Sequence, residues 1–239
     1  MARSLYYQFS WVWARDISVV ASENPFGARM RAVAMDIPTH RVPISAMYQF
    51  PFGKGRKFLS GANRPLNLVV GGWELSTIYA YYSGQFLTPA WTLPDPTGTA
   101  YTTSRTAASV TRRPDILRDP NLPRDQRTVN RWFDTTAFAA PAAGMFGSSC
   151  MGVIKGPWVN VWHAGMSKSF TFESHERLKL RVEMTATNVF NHPNWSNPGT
   201  NISTVASAGI ITGVGGVQGS STGDKPGART LRAGFRLEW

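Results

Sequence analysis

The chain has 239 residues, of which 42% are hydrophobic and only 16% charged, and its formal net charge is +11. This balance excludes a disordered chain, and it excludes a helical membrane protein because no stretch approaches the roughly 20 apolar residues of a spanning helix. Nine Trp, 22 Gly and 16 Pro favour strands, turns and long loops. The single Cys150 leaves no internal disulfide.

Six stretches alternate between apolar and polar side chains with a period of two, which predicts six β-strands. Each is about ten residues long, the length that a tilted strand needs to cross a bilayer. In chain order they are Leu5–Trp13, Val42–Phe50, Trp73–Tyr82, Trp162–Phe172, Leu178–Thr187 and Leu231–Trp239. Lys168 interrupts the apolar face of the fourth.

The connections between these strands alternate between long and short. The long ones are Arg15–Thr39, Pro89–Pro157 and Asn191–Gly227, and the short ones are the basic link "PFGKGRKFLSGANRP" and the turn "ESHE". This alternation is typical of a transmembrane barrel with long extracellular loops and short periplasmic turns. A connection near seventy residues also argues against a soluble sandwich. We therefore predict an all-β, antiparallel, up-and-down transmembrane β-barrel segment.

Six of the nine tryptophans lie near the predicted ends of the strands. Those near the outer ends are Trp11, Trp13, Trp158 and Trp162, and those near the inner ends are Trp73 and Trp239. Tryptophan at a membrane–water boundary keeps its ring in the apolar edge and its N–H towards water. These six are predicted membrane-interface aromatics, whereas ordinary core tryptophans would cluster in mid-strand.

The polar faces of the last two strands carry charges of both signs. These are Lys179, Arg181, Glu183, Arg232, Arg236 and Glu238. In a closed barrel they would line the lumen, and we predict a ladder of opposite charges that pairs across strands. The alternative is that they are solvent-exposed polar residues on a half-buried sheet.

The basic excess invites a nucleic-acid interpretation, but the Lys and Arg residues are scattered and no nucleic-acid-binding motif is present. Outer-membrane lipid and lipopolysaccharide are the predicted partners of this charge. The four histidines lie far apart, and no metal or catalytic motif occurs. We therefore predict no enzyme activity, no cofactor and no metal, and we interpret "FNHPNW" around His192 as a structural turn.

Four aromatic residues of the long connections have no predicted strand to belong to: Trp91, Trp132, Phe133 and Trp195. Such residues can stack on sugars or planar siderophores, so these four are candidate substrate-binding residues. They can equally pack the loops against themselves.

Five motifs together resemble a known family. They are "HRVPISAMYQFPFGKGRKFL", "GGWELSTIYAYYSGQF", "RWFDTTAFAAPAAGMFG", "GPWVNVWHAGMSKSF" and "RVEMTATNVFNHPNW", followed by a terminal aromatic strand. In this order they resemble the C-terminal end of TonB-dependent outer-membrane receptors, especially the Oar-like class with a carboxypeptidase-regulatory-like N-terminal domain. The likeness covers nearly the whole chain.

The resemblance implies a 22-stranded barrel that imports a large or scarce nutrient in the bacterial outer membrane. It implies an N-terminal domain that plugs the barrel, which the predicted charge ladder would contact. It also implies the TonB energy-coupling complex as a partner, reached through an N-terminal region, and an extracellular small molecule or oligosaccharide as substrate. Residues 1–239 are then expected to be the C-terminal part of the barrel domain, with the plug and earlier strands absent from this chain. The rival hypothesis is a soluble, secreted all-β module that binds carbohydrate or nucleic acid and packs its apolar faces into one core.

Overall fold

A computed structural model describes residues 4–20, 27, 29–34, 37–92, 112–171, 179–214 and 227–238. In chain order its elements are β1 (Leu5–Phe9), β2 (Val12–Trp13), β3 (Ile17–Val20), β4 (Met30–Val33), β5 (His40–Gln49), α1 (Arg64–Val70), β6 (Trp73–Tyr82), β7 (Phe86–Leu87), β8 (Asp115–Ile116), β9 (Phe138–Ala139), β10 (Ile154–Lys155), β11 (Val159–Thr171), β12 (Lys179–Thr187) and β13 (Thr230–Glu238), with 3₁₀ turns at Arg124–Gln126 and Thr135–Ala137.

The main element is an antiparallel sheet whose strands follow the order β1, β5, β6, β11, β12, β13, with β2 also paired to β5. Each strand pairs with the next predicted one along the chain, so the all-β, up-and-down prediction is confirmed. The long strands have nine to thirteen residues, which is enough for a tilted strand to cross a bilayer. Within the described residues, β1 and β13 are the two edges and no pairing joins them, so the sheet is open.

The first strand was predicted as one piece, but it is divided into β1 and β2. Both pair with β5 in a single register, in which Phe9 lies opposite Ile44 and Trp13 opposite His40. At the interruption the Ser10 N–H donates to the Pro43 carbonyl, at 3.1 Å. Pro43 has no N–H to return, so one ladder bond is missing at this point. Phe172, Leu178 and Trp239, at the predicted strand ends, lie outside the described residues.

Because neighbouring strands are antiparallel, the three long connections meet at one end of the sheet, as predicted. We call this the long-loop end, and the other the short-loop end. The segment after β2 contains the hairpin of β3 and β4, and β4 reaches the longest connection through a bridge between Ala32 and Met151. The "ESHE" turn lies outside the described residues.

The buried core of the described residues lies at the long-loop end. The two remaining long connections form a unit there, with described residues 84–92, 112–158 and 188–214, which we call the loop unit. Its paired short strands are β7 with β10 and β8 with β9. Its core consists of Leu87, Trp132, Phe133, Phe138, Ile154, Ile202 and Ile211. The long connections are therefore folded against one another.

The link between β5 and β6, residues 51–72, contains the helix α1, which was not predicted from the sequence. The Asn63 side chain caps it by accepting from the Leu66 N–H at 3.1 Å, and Pro65 lies in its first turn, where a missing N–H costs nothing. None of the helices in the described part of the chain has the length and apolarity needed to cross a membrane.

Candidate functional site

One face of the main sheet is apolar across its whole width. Residues opposite each other in an antiparallel pair lie on the same face, so the register assigns rows across the sheet. One row across the sheet contains Tyr48, Leu75, Met166, Met184 and Ala233. A second, nearer the short-loop end, contains Phe170, Leu180 and Leu237.

This apolar face is not covered by a second sheet. Met184 is 55% exposed, Phe235 76% and Phe9 62%. A soluble protein rarely leaves a contiguous apolar patch larger than a few hundred Å² in water. The rival soluble module required these faces to pack into one core, and the structure does not pack them so.

The opposite face carries the predicted charges. Arg181 reaches across β11 and forms an ion pair with Glu74, with 3.0 Å between Nη2 and Oε1, and it also lies 3.8 Å from Glu183. Gln49 donates to the other oxygen of Glu74 at 3.3 Å. A polar cluster therefore extends over β5, β6 and β12, with the buried Ser167 of β11 beneath it.

The remaining predicted lumen charges share this face. The register places Lys179, Arg232 and Arg236 on it, with Arg236 directly opposite Arg181. Gly234 lies between the two arginines of β13, and a Cβ there would stand 3.2 Å from the Glu183 side chain. Nothing is described of the Glu238 side chain. The structure thus brings Arg181 and Glu183 together with Glu74, a partner that the charge pattern alone did not identify.

A groove of about 280 Å³ lies in the same face, over the middle of the sheet. Its floor is Gly165, where a Cβ would stand 2.7 Å from the Ser76 hydroxyl. Ile78, His163, Thr185 and Thr187 form its sides. The sequence signal for it is Gly165 itself, because a glycine inside a strand marks close approach by another group.

Three of the predicted interface tryptophans lie at the long-loop ends of their strands on the apolar face. Trp11 stacks on His40 with 6.1 Å between ring centroids, and Trp13 is 68% exposed. Trp162 packs against Tyr79 and donates its indole N–H to Thr77. Trp158, by contrast, packs on Trp132 of the loop unit and lies under the Arg124 guanidinium.

At the short-loop end, Trp73 donates its indole N–H to the Val69 carbonyl at 2.9 Å. Lys168, the interruption noted in the fourth strand, lies opposite Trp73 on the apolar face. Its ammonium donates to the carbonyls of Val69 and Gly71 and lies 4.7 Å from the Trp73 ring centroid. The lysine therefore fastens the end of α1 to the sheet. Trp239 lies outside the described residues.

The four candidate substrate-binding residues fall into two groups. Trp132 and Phe133 are 4% and 1% exposed in the core of the loop unit, and the Trp132 indole N–H donates to the Lys155 carbonyl at 2.8 Å. In this conformation they have no surface to offer a ligand. Trp91 packs partly buried against the same core, while Trp195 is 37% exposed beside Val214.

Buried asparagines join the loop unit to the sheet. Asn194 is fully buried and accepts from the Asn160 N–H of β11 at 2.8 Å. Asn188 has a left-handed backbone, φ 50°, which asparagine tolerates better than most residues, and it exchanges hydrogen bonds with the His192 backbone. The "FNHPNW" stretch is therefore a turn held by hydrogen bonds, which agrees with the predicted structural role.

Asp134 organises the turn that follows the buried aromatics. Burial alone would raise the pKa of Asp134, but hydrogen bonds from Thr136 and Arg118 outweigh it and hold that pKa below its ordinary value. Arg118 lies 2.7 Å from the carboxylate. In Arg127, burial is the main cause that lowers the pKa, followed by the nearby charge of Arg124. In the described part of the chain, no group of three or more His, Cys, Asp or Glu side chains is placed to hold a metal ion.

An uncovered apolar face, a charged opposite face and loops gathered at one end define a membrane-spanning β-sheet protein. A family model described as "Outer membrane beta barrel domain" matches residues 1–232, and the chain belongs to this family. The protein is therefore a component of the bacterial outer membrane. No curated protein and no solved structure matched the chain.

Proposed function

We propose that this chain is the C-terminal barrel segment of a TonB-dependent outer-membrane receptor that imports a large or scarce nutrient. The observation that carries the proposal is the two-sided sheet: its apolar face suits acyl chains, and its opposite face holds the cluster of Glu74, Arg181 and Glu183. The five motifs that resemble the TonB-dependent receptors support the finer assignment. The proposal gives the chain no catalytic role.

In this proposal the long-loop end faces the outside and the short-loop end faces the periplasm. The charged face lines the lumen, where its paired carboxylates and guanidinium contact a plug supplied by an N-terminal region. The folded loop unit forms part of the outer mouth, and Trp195 and Trp91 are its candidate contacts for an oligosaccharide or a small molecule. The partners are outer-membrane lipid and lipopolysaccharide around the barrel and the TonB complex at the periplasmic side.

The proposal is tested by measuring binding of the full-length gene product to the purified periplasmic domain of TonB. The full-length product is expected to bind, whereas residues 1–239 alone are expected not to, because the coupling segment is assigned to the N-terminal region. A full-length product that is folded in detergent and does not bind TonB would overturn the proposal. Binding by residues 1–239 alone would overturn the assignment of the coupling segment.

A further inference from the structure

The inner link, residues 51–72, combines exposed apolar side chains with a net positive charge. Val69 of α1 is 67% exposed, and Phe58, Leu59, Leu66 and Leu68 are each between 42% and 48% exposed. The link carries Lys54, Arg56, Lys57 and Arg64, all exposed, and it contains neither Asp nor Glu. The exposed apolar side chains are unfavourable in water, and the positive charge is unfavourable against a neutral protein surface.

The link is a folded unit held at a defined place. The Lys54 N–H donates to the Asn67 side chain at 2.7 Å, which closes the loop onto α1. Gly53 has a φ of 114°, and a Cβ there would stand 2.9 Å from the Gly71 backbone, so the close approach requires glycine. The basic side chains therefore project from an ordered backbone.

The link lies on the apolar side of the sheet. A continuous series of aromatic contacts leads from the apolar face into it: Tyr48 with Phe50 at 5.3 Å, Phe50 with Phe52 at 6.4 Å, and Phe52 with Phe58 at 5.7 Å between centroids. The bonds from Lys168 and Trp73 to the Val69 carbonyl fix the other end of the link to the same face. The exposed side chains of α1 thus continue the surface that faces acyl chains.

We propose that the inner link is a membrane-interface anchor that binds the anionic phospholipid head groups of the inner leaflet. Phe58, Leu66 and Leu68 enter the boundary of the acyl chains, and Lys54, Arg56 and Lys57 pair with lipid phosphates. Apolar insertion together with a basic cluster is the combination that gives stable attachment to an anionic membrane surface. The inference rests on the membrane orientation proposed above, but it does not depend on energy coupling through TonB.

The test is native mass spectrometry of the full-length protein in detergent, with phosphatidylglycerol and phosphatidylcholine as competing probes. The inner-link variant replaces Lys54, Arg56 and Lys57 with Gln. Its matched control replaces Arg29, Arg31 and Arg229, exposed at the long-loop end, with Gln. The inner-link variant is expected to retain phosphatidylglycerol at least about tenfold more weakly, since each basic residue near an anionic surface contributes roughly fivefold, and the control is expected to match the wild type.

Three results would overturn the inference: a wild type with no preference for phosphatidylglycerol, an inner-link variant that retains it fully, or equal losses in both variants. Added lipopolysaccharide distinguishes the two sources of lipid phosphate. Displacement of phosphatidylglycerol from the inner link by lipopolysaccharide at equal phosphate concentration would show that the link prefers lipopolysaccharide, and it would overturn the assignment to inner-leaflet phospholipid. Heat-modifiable migration of both variants in gels confirms that they are folded before lipid binding is compared.

Discussion

At the scale of single residues, the polar face depends on one guanidinium that serves two carboxylates. Arg181 spans β11 because Ser169, which lies opposite it, is small. Its Glu74 partner is 17% exposed and Arg181 itself is 39% exposed, so the pair is partly screened by water. Such a pair stabilises a fold modestly, because water screens part of the attraction between the two charges.

We expect a double-mutant cycle of Arg181→Gln and Glu74→Gln to give a coupling free energy of about 0.5–1 kcal/mol. The measurement is urea unfolding of the full-length product in lipid vesicles. Arg236→Gln is the control. Arg236 lies directly opposite Arg181, and like charges in this position repel, so its removal should be neutral or slightly stabilising. A coupling energy indistinguishable from zero would show that the charged ladder is only a solvated surface.

Asp134 gives the loop unit a pH dependence with a defined sign. Its folded-state pKa lies below the ordinary value of 3.8, so its contribution to stability is complete at neutral pH and is lost as the pH falls through the folded pKa. Asp134→Asn keeps an acceptor for Thr136 but loses the charge facing Arg118, and we expect it to cost about 1 kcal/mol at pH 7.

The difference in unfolding free energy between wild type and Asp134→Asn should be smaller at pH 3 than at pH 7, because the carboxyl takes up a proton more readily in the unfolded chain than in the folded one. Urea transitions followed by near-UV circular dichroism at the two pH values measure it. Asp125→Asn, at an exposed position of the first 3₁₀ turn, is the matched control and should leave the transition unchanged. A difference of equal size at both pH values would contradict the assigned role of the charge.

At the scale of elements, the strands of the main sheet were predictable because each lies between two different environments. The alternation in Val42–Phe50 and Trp73–Tyr82 reflects one apolar and one polar face of each strand. In the structure, β5 and β6 begin and end within two residues of those predicted bounds. The division of the first strand was not predicted, because its cause is Pro43 on the neighbouring strand.

The loop unit and the inner link were less predictable for a different physical reason. Their packing depends on contacts between distant segments, such as the Trp132 N–H with Lys155 or Lys168 with the end of α1. No local period encodes such contacts. The helix α1 did leave local signals, since Asn63 and Pro65 are an N-cap and a first-turn proline. The basic, glycine-rich composition around them concealed these signals.

The assignment of the two faces is tested at adjacent positions in the middle of β5. Ala46 lies on the apolar face, opposite Tyr7 and Thr77, and Ser45 lies on the other face, opposite Gln8 and Ile78. Both side chains are small, so Ala46→Arg and Ser45→Arg add nearly the same volume at nearly the same depth. We expect Ala46→Arg to destabilise the full-length product by about 2–4 kcal/mol, the cost of an arginine facing lipid at mid-membrane.

Ser45→Arg should cost much less, because its charge faces the lumen. The measurement is urea unfolding in vesicles, together with the amount of each variant assembled in the outer membrane. Equal destabilisation by the two variants would contradict the assignment, and a larger cost for Ser45→Arg would reverse the two faces.

At the scale of the whole molecule, the six-stranded order sets a limit on what residues 1–239 can do alone. About eight strands is the practical minimum for a spanning barrel. In the described residues, β1 and β13 are open edges, and each unsatisfied backbone group costs several kcal/mol in hydrocarbon. We therefore expect the sheet to need further strands before it can cross a membrane, and in the proposed receptor they come from the same longer protein.

We accordingly expect residues 1–239, refolded alone with lipid vesicles, to give no monomer that is both heat-modifiable in gels and protected from protease. The full-length product, treated identically, should give both signatures, because closure pairs every edge with a neighbouring strand. Chemical cross-linking identifies the remaining case, in which several copies of the chain supply the missing strands to one another. A closed, monomeric, membrane-inserted barrel formed by residues 1–239 would show that this sheet can bend and pair β1 with β13, and it would contradict the minimum of about eight strands.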